Sequence, residues 1–110
     1  MKTVIYYETE NGSCPFEKWL GKLRDLKAMA AIDRRLRRIE RENFFGDHAP
    51  IKGADAENLF ELRIFVGPGY RVYYGLDGER AVVILGGSGK GDQKVAIKKA
   101  KERWKDYRSQ

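Results

Sequence analysis

The sequence predicts an α+β domain in which helices pack on a single antiparallel sheet. Three observations carry this. A β-branched, aromatic segment opens the chain, and two segments with apolar residues at helical spacing follow it. Three strand-like segments separated by turn residues then precede a last helical stripe. The order strand, helix, helix, three-strand meander, helix is that of a two-layer α+β domain. Short connections between the strands favour antiparallel pairing. Repeats, low-complexity tracts and linkers are absent, so residues 1–110 read as one domain with its own core.

Taken in order, Thr3-Val-Ile-Tyr-Tyr7 has strand composition, and Asn11-Gly12-Ser13 ends it. Pro15 suits the first turn of a helix, along which Phe16, Trp19, Leu20, Leu23 and Leu26 recur at helical spacing. A second helix is expected from about Ala28 to Asn43, with Met29, Ile32, Leu36 and Ile39 as its apolar stripe and its arginines mostly off that stripe. The two helices are nearly contiguous, which suggests an antiparallel helical hairpin. Phe44–Asn58 carries Gly46, Pro50 and Gly53 and reads as an irregular connection containing His48 and Lys52.

Phe60–Tyr74 reads as a β-hairpin. Phe60, Leu62, Ile64 and Val66 share one face by alternation, opposite Arg63 and Phe65. A three-residue Gly67-Pro68-Gly69 loop would pair Val66 with Tyr70, Ile64 with Val72 and Leu62 with Tyr74. Arg63 would then oppose Tyr73, and Arg71 would oppose Phe65, on the second face. A two-residue loop would mix the faces. Asp77-Gly78 is a turn signal into a third strand, Arg80–Leu85, with Tyr74 expected against Ala81 and Val72 against Val83. Gly86–Gly91 reads as a flexible exit. Asp92 is a possible cap for a final helix striped by Ile97, Ala100, Trp104 and Tyr107.

The net charge is +6, and it is unevenly spread. From Lys90 onward there are eight Lys or Arg against three acids, and Asp33–Arg41 forms a second basic cluster. Such surfaces suit polyanionic partners, nucleic acid or an acidic protein segment. No apolar run reaches the ~18 residues of a membrane span, and the N-terminus lacks the apolar core of a signal peptide. The single cysteine, Cys14, excludes an internal disulfide and fits a reducing cytoplasm. One Cys and one His fall short of the roughly four ligands of a structural zinc site, so no metal or cofactor is expected.

Gly86-Gly-Ser-Gly-Lys-Gly91 fails the phosphate-loop pattern, because glycine rather than Ser or Thr follows Lys90. His48 has the pKa range for acid–base work but only Asp47 nearby to orient it. Nucleophilic triads and paired carboxylates cannot be assembled. Candidate chemistry instead collects on Arg63, Arg71, Tyr73 and Lys90, cationic groups and a ring around one sheet face. That set suits charge developing on the oxygens of a pentavalent phosphate, with Tyr73 or Phe65 able to stack on an RNA base. Lys52, Lys94 and His48 would add contacts to RNA.

The strings Glu61-Leu-Arg-Ile, Gly67-Pro-Gly-Tyr-Arg-Val-Tyr-Tyr74, Val83-Ile-Leu-Gly-Gly-Ser-Gly-Lys90 and Ile97-Lys-Lys-Ala-Lys101 strongly resemble the addiction-module killer proteins. These are the HigB-like, phage-derived branch of the RelE/ParE toxin superfamily. Phe16-Glu-Lys-Trp-Leu20 resembles that branch's first helix, and the likeness covers nearly the whole chain. The resemblance implies a RelE-like fold and a toxin of a type II toxin–antitoxin pair. Its protein antitoxin would often be a helix-turn-helix DNA binder. RelE-like members cleave mRNA on the ribosome without metal, the RNA 2′-hydroxyl attacking the adjacent phosphate. Carried over, Arg63 and Arg71 would hold that phosphate, and Lys90 would assist proton transfer or stabilise charge. The chain departs from the usual Gly-Gly-Asp-Lys-Ser at Gly86–Asp92, and it lacks the tyrosine or histidine that some relatives place near the last strand's end. The general base is therefore unassigned. The resemblance also admits a ParE-like inhibitor of DNA gyrase, or a decayed toxin that only binds antitoxin or RNA. The three basic residues favour the nuclease.

Overall fold

A computed structural model describes residues 2–110. The chain forms β1 (Thr3–Tyr6), α1 (Pro15–Gly21), α2 (Leu26–Glu42), β2 (His48–Pro50), β3 (Leu59–Ile64), β4 (Tyr70–Asp77), β5 (Ala81–Gly89), a 3₁₀ turn at Lys90–Asp92 and α3 (Gln93–Arg108). The α+β class and the element order stand as predicted. β2 is an addition: the connection that contains His48 contributes a short edge strand, Pro50 included, where an unpaired N–H side is tolerated.

The sheet order is β1-β5-β4-β3-β2. The meander β3-β4-β5 is antiparallel, as expected. β1 joins it parallel to β5, Thr3 opposite Ala81, so the sheet is mixed. The long crossover that a parallel pair requires is supplied by everything between the two strands.

Alternation sorts the sheet into two faces. On the first, Leu62, Ile64, Val72, Tyr74, Val82 and Ile84 pack under Phe16 of α1 and Ile32, Leu36 and Ile39 of α2. On the second, Leu59, Tyr73, Val83 and Leu85 pack under Ala100 and Trp104 of α3. The predicted stripes of α2 and α3 are thus the buried ones. α1 packs chiefly on β5, and α2 on β1 and β3, rather than on each other as a helical hairpin. The Asp25 carboxylate caps α2 by accepting from the Ala28 amide at 3.0 Å, and Asn43 ends that helix in the left-handed conformation.

Two registers differ from expectation. In the β3–β4 hairpin Ile64 pairs with Tyr70, Leu62 with Val72 and Arg63 with Arg71. Phe65 and Val66 belong to the loop, so the slip is two residues and every side chain keeps its predicted face. Between β4 and β5 Asp77 pairs with Ala81, leaving Gly78–Arg80 as the turn, and Tyr74 pairs with Ile84. That odd slip exchanges the two faces of β5. Gly86–Gly89 are strand rather than flexible exit, and Leu85 is an extra residue between Ile84, opposite Tyr74, and Gly86, opposite Tyr73. This β-bulge returns the strand to phase, so that Ser88 lies opposite Arg71 on the second face.

Candidate functional site: a cross-strand arginine pair on a buried carboxylate

The second face has two parts. α3 covers the part nearest Trp104, and the part toward the hairpin loop carries Glu61, Arg63, Arg71 and Ser88. Two like charges directly opposite each other destabilise a strand pair unless something bridges them. Glu61 does so. Its Oε2 accepts from Arg63 Nε at 3.0 Å and also from an Arg71 terminal nitrogen. Glu61 is only 4% exposed, whereas both guanidiniums are partly open to solvent. One buried oxygen therefore holds two arginines in fixed orientation, with their remaining N–H donors free to face outward. The hydrogen bond to Glu61 holds the Arg63 pKa above its ordinary value.

The arginines line a cavity of about 340 Å³ together with Phe65, Tyr70, Lys90 and Gln93. Lys90 arrives from the 3₁₀ turn that follows β5, so β3, β4 and that turn bring Arg63, Arg71 and Lys90 to one cavity. Phe65 is 79% exposed at the cavity's lip. Tyr73 is placed differently. It is 1% exposed, its hydroxyl is hydrogen-bonded to Ser88 Oγ at 2.8 Å, and burial raises its pKa. No base can stack on it, and it supports the site from below, leaving Phe65 as the available ring.

His48 lies away from this group. It pairs with Leu62 and so faces the opposite side of the sheet, beside Phe45 and Phe60, with Nδ1 2.9 Å from the Gly46 carbonyl. Lys52 is exposed after β2, toward the end where β3 begins, and Lys94 is exposed in the first turn of α3; neither lines the cavity. Among the described residues no group of three or more His, Cys, Asp or Glu converges as a metal site would.

Two site residues escaped the sequence reading. Glu61 was legible by parity, since it shares a face with Arg63. Arg35 gave no such signal. From α2 it donates to the carbonyls of Arg63 at 2.6 Å, Phe45 at 2.8 Å and Asp47 at 2.8 Å, and burial lowers its pKa. The Arg63 amide in turn donates to the Asp47 carbonyl at 3.0 Å. The hairpin's other strand is tied at Tyr70, whose hydroxyl donates to Asp25 at 3.1 Å, the residue that caps α2. The arginine pair thus stands on a frame fixed at both strands.

The family model for "Phage derived protein Gp49-like (DUF891)" matches residues 18–105, which include every residue that lines the arginine cavity. The chain belongs to the Gp49-like family. That family is associated with the toxins of toxin–antitoxin pairs, which implies an antitoxin as partner. An uncharacterized protein of Haemophilus influenzae is 41% identical over 86 residues, covering 78% of this chain and 82% of its own length. Among the described residues of this Gp49-like chain no helix is long and apolar enough to cross a membrane.

Proposed function

We propose that this Gp49-like protein is the toxin of a type II toxin–antitoxin pair, of the HigB-like branch of the RelE superfamily, and that it cleaves mRNA on the ribosome in the cytoplasm. The observation that carries this reading is the pair of arginines clamped on Glu61 beside Lys90. In the proposed reaction the RNA 2′-oxygen forms a bond to the adjacent phosphorus as the bond to the 5′-oxygen breaks. The products are a 2′,3′-cyclic phosphate and a 5′-hydroxyl, with the 2′ proton lost and one gained by the leaving oxygen. Charge builds on the nonbridging oxygens, where preorganised guanidinium donors stabilise it most. Lys90 completes that ring of positive charge or protonates the leaving oxygen. Phe65 offers a face for an unstacked base. The chemistry asks nothing of a metal, and the protein's net charge of +6 favours a polyanionic substrate.

Inducible expression in bacteria, followed by primer extension on abundant messages, tests this. Discrete new 5′ ends within translated frames are expected, together with growth arrest, and both should vanish in a folded Arg71→Ala variant. Arrest with intact messages would overturn the nuclease in favour of a gyrase-type target.

A further inference from the structure

A second cavity, about 660 Å³, lies beside the arginine site. It is a groove with α1 on one side, α3 on the other, and Gly87 and Ser88 of β5 between them. Two links join it to the arginine cavity. Ser88 is the cross-strand partner of Arg71, and adjacent strands are only about 4.8 Å apart. At the head of α3, Gln93 lines the arginine cavity while its neighbour Asp92 lines the groove. The Lys90–Gln93 turn therefore stands between the two.

The charge of the groove has no counterpart within the fold. Lys18 and Lys22 are four residues apart along α1 and its cap, as are Lys99 and Arg103 on α3, so each pair shares one helix face. Like charges at that spacing destabilise a helix. On α2 such charge is offset, because Arg37 bonds to Asp33 and Arg38 to Glu42, each one turn away. In the arginine cavity Glu61 supplies the counter-charge. None of the four groove cations has a carboxylate within salt-bridge distance among the described residues, and Asp92 is the acid among the lining residues. Arg103 is half-buried, and burial lowers its pKa. One of its terminal nitrogens donates to the Leu85 carbonyl at 3.0 Å, which fixes the guanidinium at the groove wall. A cation drawn partly out of water without a counter-charge is costly until an anion joins it.

We propose that this groove is a second phosphate-binding subsite, which holds the backbone of the same single-stranded RNA whose scissile phosphate lies on Arg63 and Arg71. The strand leaves the arginine cavity over the Lys90–Gln93 turn and runs between α1 and α3. Lys18 and Lys22 flank it on one side, Lys99 and Arg103 on the other. Lysine, arginine and hydroxyls such as those of Thr9 and Ser13 are the usual donors to phosphate oxygens, and such contacts fix a strand's position without reading its bases. Trp19, the ring among the lining residues, is spent on Gly87, so the groove offers no stacking platform. Continuity with a cavity built for phosphate favours a nucleic acid here over an acidic peptide. The proposal rests on the nuclease reading for the identity of the strand, but the binding it describes needs no cleavage.

The test uses the full chain carrying Arg71→Ala, which silences the proposed cleavage, and a labelled ten-nucleotide single-stranded RNA titrated at several salt concentrations. Lys18→Gln with Lys99→Gln removes one exposed cation from each wall. Lys98→Gln with Lys105→Gln removes the same charge outside the groove, and thermal melting is the folding control for both. The groove pair should weaken binding at least tenfold, and the outside pair far less. Each phosphate contact to a single strand contributes about 0.7 to the slope of log K against log salt, so the slope should become shallower by about 1.4. One oligomer should bind per protein. Equal effects of the two pairs, or no effect of the groove pair, overturn the proposal and leave the role of the arginine cavity standing. Two oligomers per protein would refute a single continuous strand. Displacement by poly-glutamate as readily as by unlabelled RNA, charge for charge, would assign the groove to an acidic peptide instead. If the groove behaves as expected while messages in expressing cells stay intact, the nuclease reading falls and the groove remains an RNA-binding site.

Discussion

Replacing Glu61 separates the clamp from the fold that carries it. Both guanidiniums bond to one carboxylate oxygen, Oε2. In Glu61→Gln the amide oxygen can take that place, so both contacts persist and only the charge is lost. Charge-assisted hydrogen bonds are roughly twice as strong as neutral ones and contribute about 1.5–3 kcal/mol each in protein interiors. The arginine side chains are 39% and 29% exposed, which lets water take up part of the loss. The substitution should therefore cost about 1–2 kcal/mol in all, taken at the buried carboxylate. In a domain of this size that lowers Tm by roughly 4–8 °C. Glu61→Ala removes the acceptor altogether and sets Arg63 against Arg71 with nothing between them. It should cost more than the Gln variant, toward the 3–5 kcal/mol typical of a broken buried pair. RNA cleavage should fall by about 10² in Glu61→Ala, since misplacing a catalytic contact by 1 Å has that effect, and by less in Glu61→Gln, where the weakened contacts persist. Calorimetry or thermal circular dichroism, with a cleavage assay on programmed ribosomes, measures both quantities. A Gln variant with unchanged Tm and unchanged cleavage would refute the assignment of Glu61 as the group that orients the pair.

Two further outcomes follow from packing and from titration. A Cβ on Gly75 would lie 2.5 Å from ring carbons of Trp104, whose Nε1 donates to the Glu57 carbonyl at 2.8 Å. Gly75→Ala should destabilise by about 1–3 kcal/mol through overpacking, read as a lower Tm, and an unchanged Tm would show that α3 can ride up without penalty. The Tyr7 hydroxyl is buried and donates to Asp106 at 2.6 Å, which pushes its pKa up to about 12. The folded state therefore holds this proton above the unfolded value near 10. Its stabilisation is complete below about pH 10 and is lost as pH rises from 10 toward 12. Urea melts should be flat in this respect up to pH 9, and Tyr7→Phe should flatten part of the alkaline fall; identical slopes in the two proteins would contradict it.

The class of the fold and the composition of the core were legible because they depend on period alone. The Ile32, Leu36 and Ile39 stripe, and the division of Leu62 and Ile64 from Arg63, survive any slip of two residues. Register was not legible, because it depends on where strands stop. Phe65 and Val66 have strand composition yet lie in the loop, and this sets Arg63 against Arg71 rather than Tyr73. Gly86–Gly89 has the poorest strand propensity in the chain, but the Trp19 ring requires a residue without a side chain at Gly87. Local composition therefore pointed to a connector where tertiary packing makes a strand. Of the site, the basic residues could be read and their geometry could not. The bridging role of Glu61 appears only once the two arginines are known to be cross-strand partners. Arg35 acts through three carbonyls, which have no sequence signature.

The parallel pairing of β1 with β5 also sets the order of events during synthesis. The first strand leaves the ribosome well before its partner, with both helices and the rest of the meander made in between. Contacts so distant along the chain form slowly and all together. Ser88 and Lys90 emerge in that same late interval, so the arginine cavity and the sheet that supports it are completed in one step. A nascent chain halted before β5 has neither a closed fold nor a working site, and under the proposed function it would pose no danger to the ribosome making it.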